Sequence, residues 1–172
     1  MSFLSRIFGS RNERDALRPL YEAVVRAGRD PAWYRDGGVP DTMDGRFDLL
    51  AAVLALVLLR LEREGEKAKS ESILLTELFI DDMDGTLREL GFGDVVVGKH
   101  VSRMMGALGG RLGAFREALA QGTGLEAPVR RNVFREAPPS DEAVRFVSGG
   151  LERLAEQTEA APLEDLLAGR DP

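Results

Sequence analysis

Asp82 and Asp84 are the first residues to test for chemistry. They stand in LFIDDMDGTL, residues 78–87, with Gly85 and Thr86 directly behind them. Two carboxylates at this spacing, held at a strand end, can divide work on a phosphate group. One attacks phosphorus and the other carries the proton. Other chemistries are narrower. The chain has no cysteine and a single histidine, His100. Thiolate metal sites, disulfides, cysteine nucleophiles and multi-histidine metal sites are therefore excluded, and a Ser–His–Asp triad would rest on His100 alone.

The order of those residues, Asp-x-Asp-Gly-Thr, resembles the nucleophile motif of haloacid-dehalogenase-type phosphatases. Such a site needs a strand that ends at the first aspartate. Here Leu75, Phe79, Met83, Leu87 and Leu90 recur at steps of four, four, four and three, which is one face of a helix running straight through the acids. Lys99, the sole lysine downstream, lies too near in sequence to reach across a sheet. The acidic pairs Asp141-Glu142 and Glu164-Asp165 have no strand before them. A calcium loop centred on Gly85 would begin at Ile80 and end at Gly91, neither of which is a ligand. The expectation is a helix with Asp84 and Arg88 paired at i,i+4 and Asp81 and Asp82 solvated or facing arginines of another helix. Phosphatase use of Asp82 and Asp84 is the lesser alternative.

Composition agrees with helices. The 172 residues are 44% hydrophobic, 30% charged and only 6% aromatic, enough for one domain with its own core. The net charge of −6 and pI near 5.0 disfavour a nucleic-acid binder. The longest apolar run, Leu49–Leu59, has eleven residues, too short to cross a bilayer and suited to a buried helix. Ser5 and Arg6 interrupt the apolar start, so it does not read as a secretory signal.

Along the chain, Phe3, Leu4, Ile7 and Phe8 form a short amphipathic segment over 1–12, a terminus packed on the core or a weak interfacial anchor. A helix over 13–28 stops at Gly28, and a short turn carries Trp33 and Tyr34. Asp41 or Thr42 caps the central hydrophobic helix. A charged loop surrounds Gly65, and DVVVGK, residues 94–99, reads as an extended or turn segment. From Gly98 a helix carries Val101, Met104, Met105, Leu108, Leu112, Phe115 and Leu119 on one face and Gly106, Gly109, Gly110 and Gly113 elsewhere. Each mid-helix glycine costs about 0.5–1 kcal/mol; close helix–helix approach is the expected reason, a hinge the alternative. Pro138-Pro139 breaks the chain and Ser140 caps a last amphipathic helix. The sum is an all-α fold: a single compact bundle of about six or seven helices around a central hydrophobic helix. Residues 13–135 form the main domain, with 136–172 as a helical extension packed on it.

The helix–glycine–helix stretch 87–108 could also place Lys99, His100 and Arg103 in a DNA groove, but the connection reads as long and the chain is acidic. Two blocks point elsewhere. Residues 21–64 contain VPDTMDGRF before the apolar helix, and residues 78–119 contain DMDGTLRELGFGD before a Gly-Lys segment and a methionine-bearing helix. Together they closely resemble the ubiquinol–cytochrome c chaperone family, over roughly 16–135.

The resemblance implies an assembly factor rather than an enzyme, without a cofactor, of bacterial type. It implies binding of newly made cytochrome b, or an early intermediate of the ubiquinol–cytochrome c reductase complex, at the cytoplasmic face of the inner membrane. Ribosome contact is implied by relatives; DNA is not expected. A chaperone for a membrane protein needs an apolar groove with a charged rim. The candidates for that contact are Asp41, Asp44, Arg46, Asp82, Asp84, Arg88, Asp94 and Lys99 on the rim, with the glycine-rich helix, where missing side chains leave room, and the adaptable Met104 and Met105 as walls.

Overall fold

A computed structural model describes residues 3–135 and 138–170, with side chains from residue 13 onward. The order is α1 (Phe3–Gly28), α2 (Pro31–Arg35), α3 (Met43–Arg63), a 3-10 turn (Gly65–Ala68), α4 (Lys69–Glu89), α5 (Asp94–Gln121), α6 (Glu126–Asn132), α7 (Asp141–Ala160) and α8 (Leu163–Leu167). The described residues contain no strand. The all-α bundle is as expected, with α2 and α8 amounting to single turns.

Helix α3 is the axis. Thr42 starts it, its hydroxyl accepting the Gly45 N–H at 3.0 Å. Fifteen of its 21 residues are buried, as its all-round apolarity requires. It packs against α1, α5 and α7, while α4 lies against α1 and α5, and α6 joins α5 to α7. Helix α7 is capped by Ser140, which accepts from the Ala143 N–H at 3.1 Å. It contributes Val144, Val147, Leu151 and Leu154 to the core.

Three local expectations change. Residues 3–28 form one continuous helix instead of a short segment and a separate helix. The side chains of Phe3, Leu4, Ile7 and Phe8 lie outside the described residues. The charged stretch around Gly65 is mostly helical, with a 3-10 turn between α3 and α4. DVVVGK is the first turn and a half of α5, because Gly93 in extended conformation starts the helix there and Gly98 is carried within it. The connection from α4 is then only Leu90–Gly93, turned by Gly91 at φ +86°.

Candidate functional site

The aspartates that opened the question sit on α4, and each has a partner inside the chain. The Tyr21 hydroxyl donates to Asp82 at 2.7 Å, and Arg14 pairs with Asp81. Arg88 donates through Nε to Asp84 at 2.6 Å and through Nη1 to Asp94. Asp82 is therefore a helical residue tying α4 to α1, with no strand edge behind it. Burial, reinforced by the Asp82 carboxylate, pushes the Tyr21 phenol above its ordinary 10.0. Arg88 bridges the end of α4 to the start of α5, so Asp84, Arg88 and Asp94 form one clasp across the hairpin.

That clasp frames the most exposed apolar surface among the described residues. Leu90 is 58% exposed, Phe92 36%, Val95 72% and Val96 41%. Half of the eight exposed large hydrophobics thus fall within seven residues of one turn. Such a concentration at one turn makes it a candidate contact surface. The Phe92 ring lies 5.3 Å from His100, whose Nδ1 accepts from Arg103 at 2.7 Å. Lys99 stands exposed beside them, with no ion pair among the described residues.

The outward face of α5 continues from this tip. At 3.6 residues per turn, Val95, Lys99, Ser102, Gly106, Gly110 and Gly113 fall on one side, and all six are exposed. A Cβ added at Gly106, Gly109, Gly110 or Gly113 would meet nothing within 4 Å. Among the described residues no helix makes the expected close approach there: these glycines leave bare backbone toward the outside. Met104 is buried and Met105 half-buried against the core; Met104 is part of the packing rather than an open wall.

The remaining predicted residues gather elsewhere. Asp41 and Arg46 pair at 2.5 Å on the far side of α3's first turn, with the Arg46 guanidinium 5.7 Å over the Tyr34 ring. Asp44, half-exposed in that turn, is not joined to them by an ion pair. An apolar groove with a charged rim does exist, about 610 Å³, between α3, α5 and α7. Its floor includes Leu56, Leu59 and Leu119 rather than the predicted methionines. Arg116–Glu62 and Arg63–Glu159 already link its walls, at 2.8 and 2.6 Å.

One feature escaped the sequence reading. Asp48 and Arg111, 0% and 1% exposed, form a buried ion pair between α3 and α5. Arg135 adds two hydrogen bonds to Asp48, at 2.8 and 2.7 Å. Arg111 also donates to the Asn132 carbonyl and lies 5.6 Å over the Phe47 ring, leaving its Nε without a partner among the described residues. Burial raises the Asp48 pKa and lowers that of Arg111, with the opposing charges working against both shifts. The signal was present: Asp48 stands between Phe47 and the apolar run Leu49–Leu59, and residue 111 falls in step with Met104, Leu108 and Phe115.

The described residues form an all-α bundle with a packed core and one apolar-tipped hairpin. The family model described as Ubiquinol-cytochrome C chaperone matches residues 35–170, and the chain belongs to that family. A crystal structure of the Cbp3 homolog from Brucella abortus superposes with a TM-score of 0.77 at 27% identity, covering 97% of this chain and 94% of that one. Among curated proteins, none matches.

Proposed function

We propose that this protein is a non-catalytic chaperone that holds newly made cytochrome b, or an early intermediate containing it, during assembly of the ubiquinol–cytochrome c reductase complex. Family membership over residues 35–170 carries the assembly role. The exposed turn Leu90–Val96 supports the contact surface. An unassembled membrane helix offers apolar side chains that water disfavours. The tip can cover some of them, and the glycine face of α5 lets a second helix backbone come close, as small residues do between membrane helices. Asp84, Arg88, Asp94 and Lys99 then form a polar rim around an apolar centre.

No helix among the described residues is long and apolar enough to cross a membrane. We place the protein at the cytoplasmic membrane face because that is where such a client emerges. Ribosome contact rests on the family resemblance alone and is read by co-sedimentation.

The test is capture from solubilised membranes. Tagged protein is expected to bring down cytochrome b, and its deletion to deplete the assembled complex. Val95→Asp with Val96→Asp is expected to cut capture about tenfold, the scale of losing one or two buried apolar contacts. If no cytochrome b is captured and the complex survives deletion, the function is wrong. If capture persists in the tip variant, the surface is wrong.

A further inference from the structure

We propose that the corner joining α1, α2 and α3 is a binding pocket for a phosphate ester. A cavity of about 410 Å³ opens there, lined by Arg29, Pro31, Tyr34, Arg35, Asp41 and Arg46. Three guanidiniums from three successive segments line it together with the Asp41 carboxylate, and Asp36 pairs with Arg35 at its edge.

The donors are only partly used. Arg46 gives Nε to Asp41, and Arg35 gives Nε and Nη2 to Asp36. Both Nη groups of Arg46 and Nη1 of Arg35 have no hydrogen-bond partner among the described residues. The Arg29 side chain has no hydrogen-bond or ion-pair partner among the described residues. Its charge still bears on the hydroxyls of both Tyr21 and Tyr34, lowering their pKa against the larger effect of burial. Guanidinium forks match phosphate oxygens two at a time and lose little order in doing so. Pro31 and the Tyr34 ring provide an apolar wall for the organic part of an ester, and the volume exceeds that of a bare phosphate ion.

The walls are held rigidly. The Trp33 Nε1–H donates to the Ala27 carbonyl at 2.7 Å, and the Tyr34 hydroxyl to the Gly28 carbonyl at 2.9 Å. A Cβ at Gly28 would come within 3.1 Å of the Leu50 Cα, and one at Gly45 within 2.1 Å of the Pro40 carbonyl oxygen. Arg29 and Arg46 therefore leave a backbone scaffold that cannot shift far, and their exposed side chains reach the cavity from fixed points. None of this depends on what the α4–α5 tip binds.

The ester could be a phospholipid headgroup or a free metabolite, and the two are separable. Full-length protein is titrated with glycerol 3-phosphate by calorimetry, and floated with phosphatidylcholine vesicles with and without phosphatidylglycerol at fixed ionic strength. Arg29→Gln with Arg46→Gln is compared with the charge-matched Arg131→Gln with Arg153→Gln, helicity and melting being checked for each. The expected result is about a tenfold loss of binding in the pocket variant alone, the scale of removing charge-assisted hydrogen bonds. Loss of phosphatidylglycerol-dependent flotation identifies a headgroup site; loss restricted to glycerol 3-phosphate identifies a soluble ester. If neither probe binds, or both variants lose binding equally, the pocket is not a phosphate site.

Discussion

Helices α3 and α5 lie against each other, yet they answer to different demands. Helix α3 buries fifteen of 21 residues and α5 only six of 28. Their glycines differ in the same way. Gly45, in the first turn of α3, has no room for a Cβ against the Pro40 carbonyl, whereas the glycines at 106, 109, 110 and 113 on α5 face open space. In α3 the fifteen buried residues, Gly45 among them, are explained by packing within the chain. In α5 four residues weaken the helix by about 0.5–1 kcal/mol each with nothing gained inside. The difference separates what folds the protein from what the proposed client uses.

The largest test of that separation strikes where the two helices meet. Replacing Asp48 by asparagine leaves Arg111 buried without its counter-charge. A loss of about 3–5 kcal/mol in unfolding free energy is expected, read as a fall in the urea midpoint at unchanged slope. Asp48→Leu combined with Arg111→Met removes both charges and is expected to cost less than either single change. Additive losses would mean that the pair does not act as a unit.

Much of this was legible in the sequence, and the reason is side-chain chemistry. The run Leu49–Leu59, the caps Thr42 and Ser140, and the four-residue steps through Met83 each carry a signal that only one local structure satisfies. The acids of LFIDDMDGTL were legible as helical, though Tyr21 as the partner of Asp82 was not, because partners 61 residues apart leave no local trace. Glycine was the least legible. It has no side chain to show which way it faces, so the pattern in α5 announced a cost without saying whether the beneficiary lay inside or outside. The same silence hid the start of α5, where Gly98 suggested a start that the helix, begun at Gly93, already passes through.

A smaller effect is expected on the packed side of α4. Both tyrosines of the chain, Tyr21 and Tyr34, have phenols raised above 10.0, chiefly by burial. The unfolded chain therefore releases these protons first, so the stability they contribute is whole below about pH 10 and is lost as pH rises beyond it. Phenolate absorbance should appear above the range of free tyrosine and together with loss of helical circular dichroism. Tyr21→Phe, which removes the hydrogen bond to Asp82, is expected to cost about 1 kcal/mol at neutral pH. A phenol that titrates near 10 while the helices stay intact would contradict the burial of Tyr21.

The smallest change discriminates most sharply between the two helices. Gly106→Ala places a methyl group on the open face of α5, where nothing beyond the local helix backbone lies within 4 Å of it. Stability is expected to rise by about 0.5–1 kcal/mol, since alanine restricts the unfolded chain and favours helix. Gly106→Leu also folds, because its side chain has only solvent to enter. If the bare face serves a client, the leucine variant should capture less cytochrome b than the alanine variant despite an intact core, for bulk there separates two helix backbones that glycine lets meet. Equal capture by both would leave the apolar tip as the whole contact and the glycines of α5 without a role in binding.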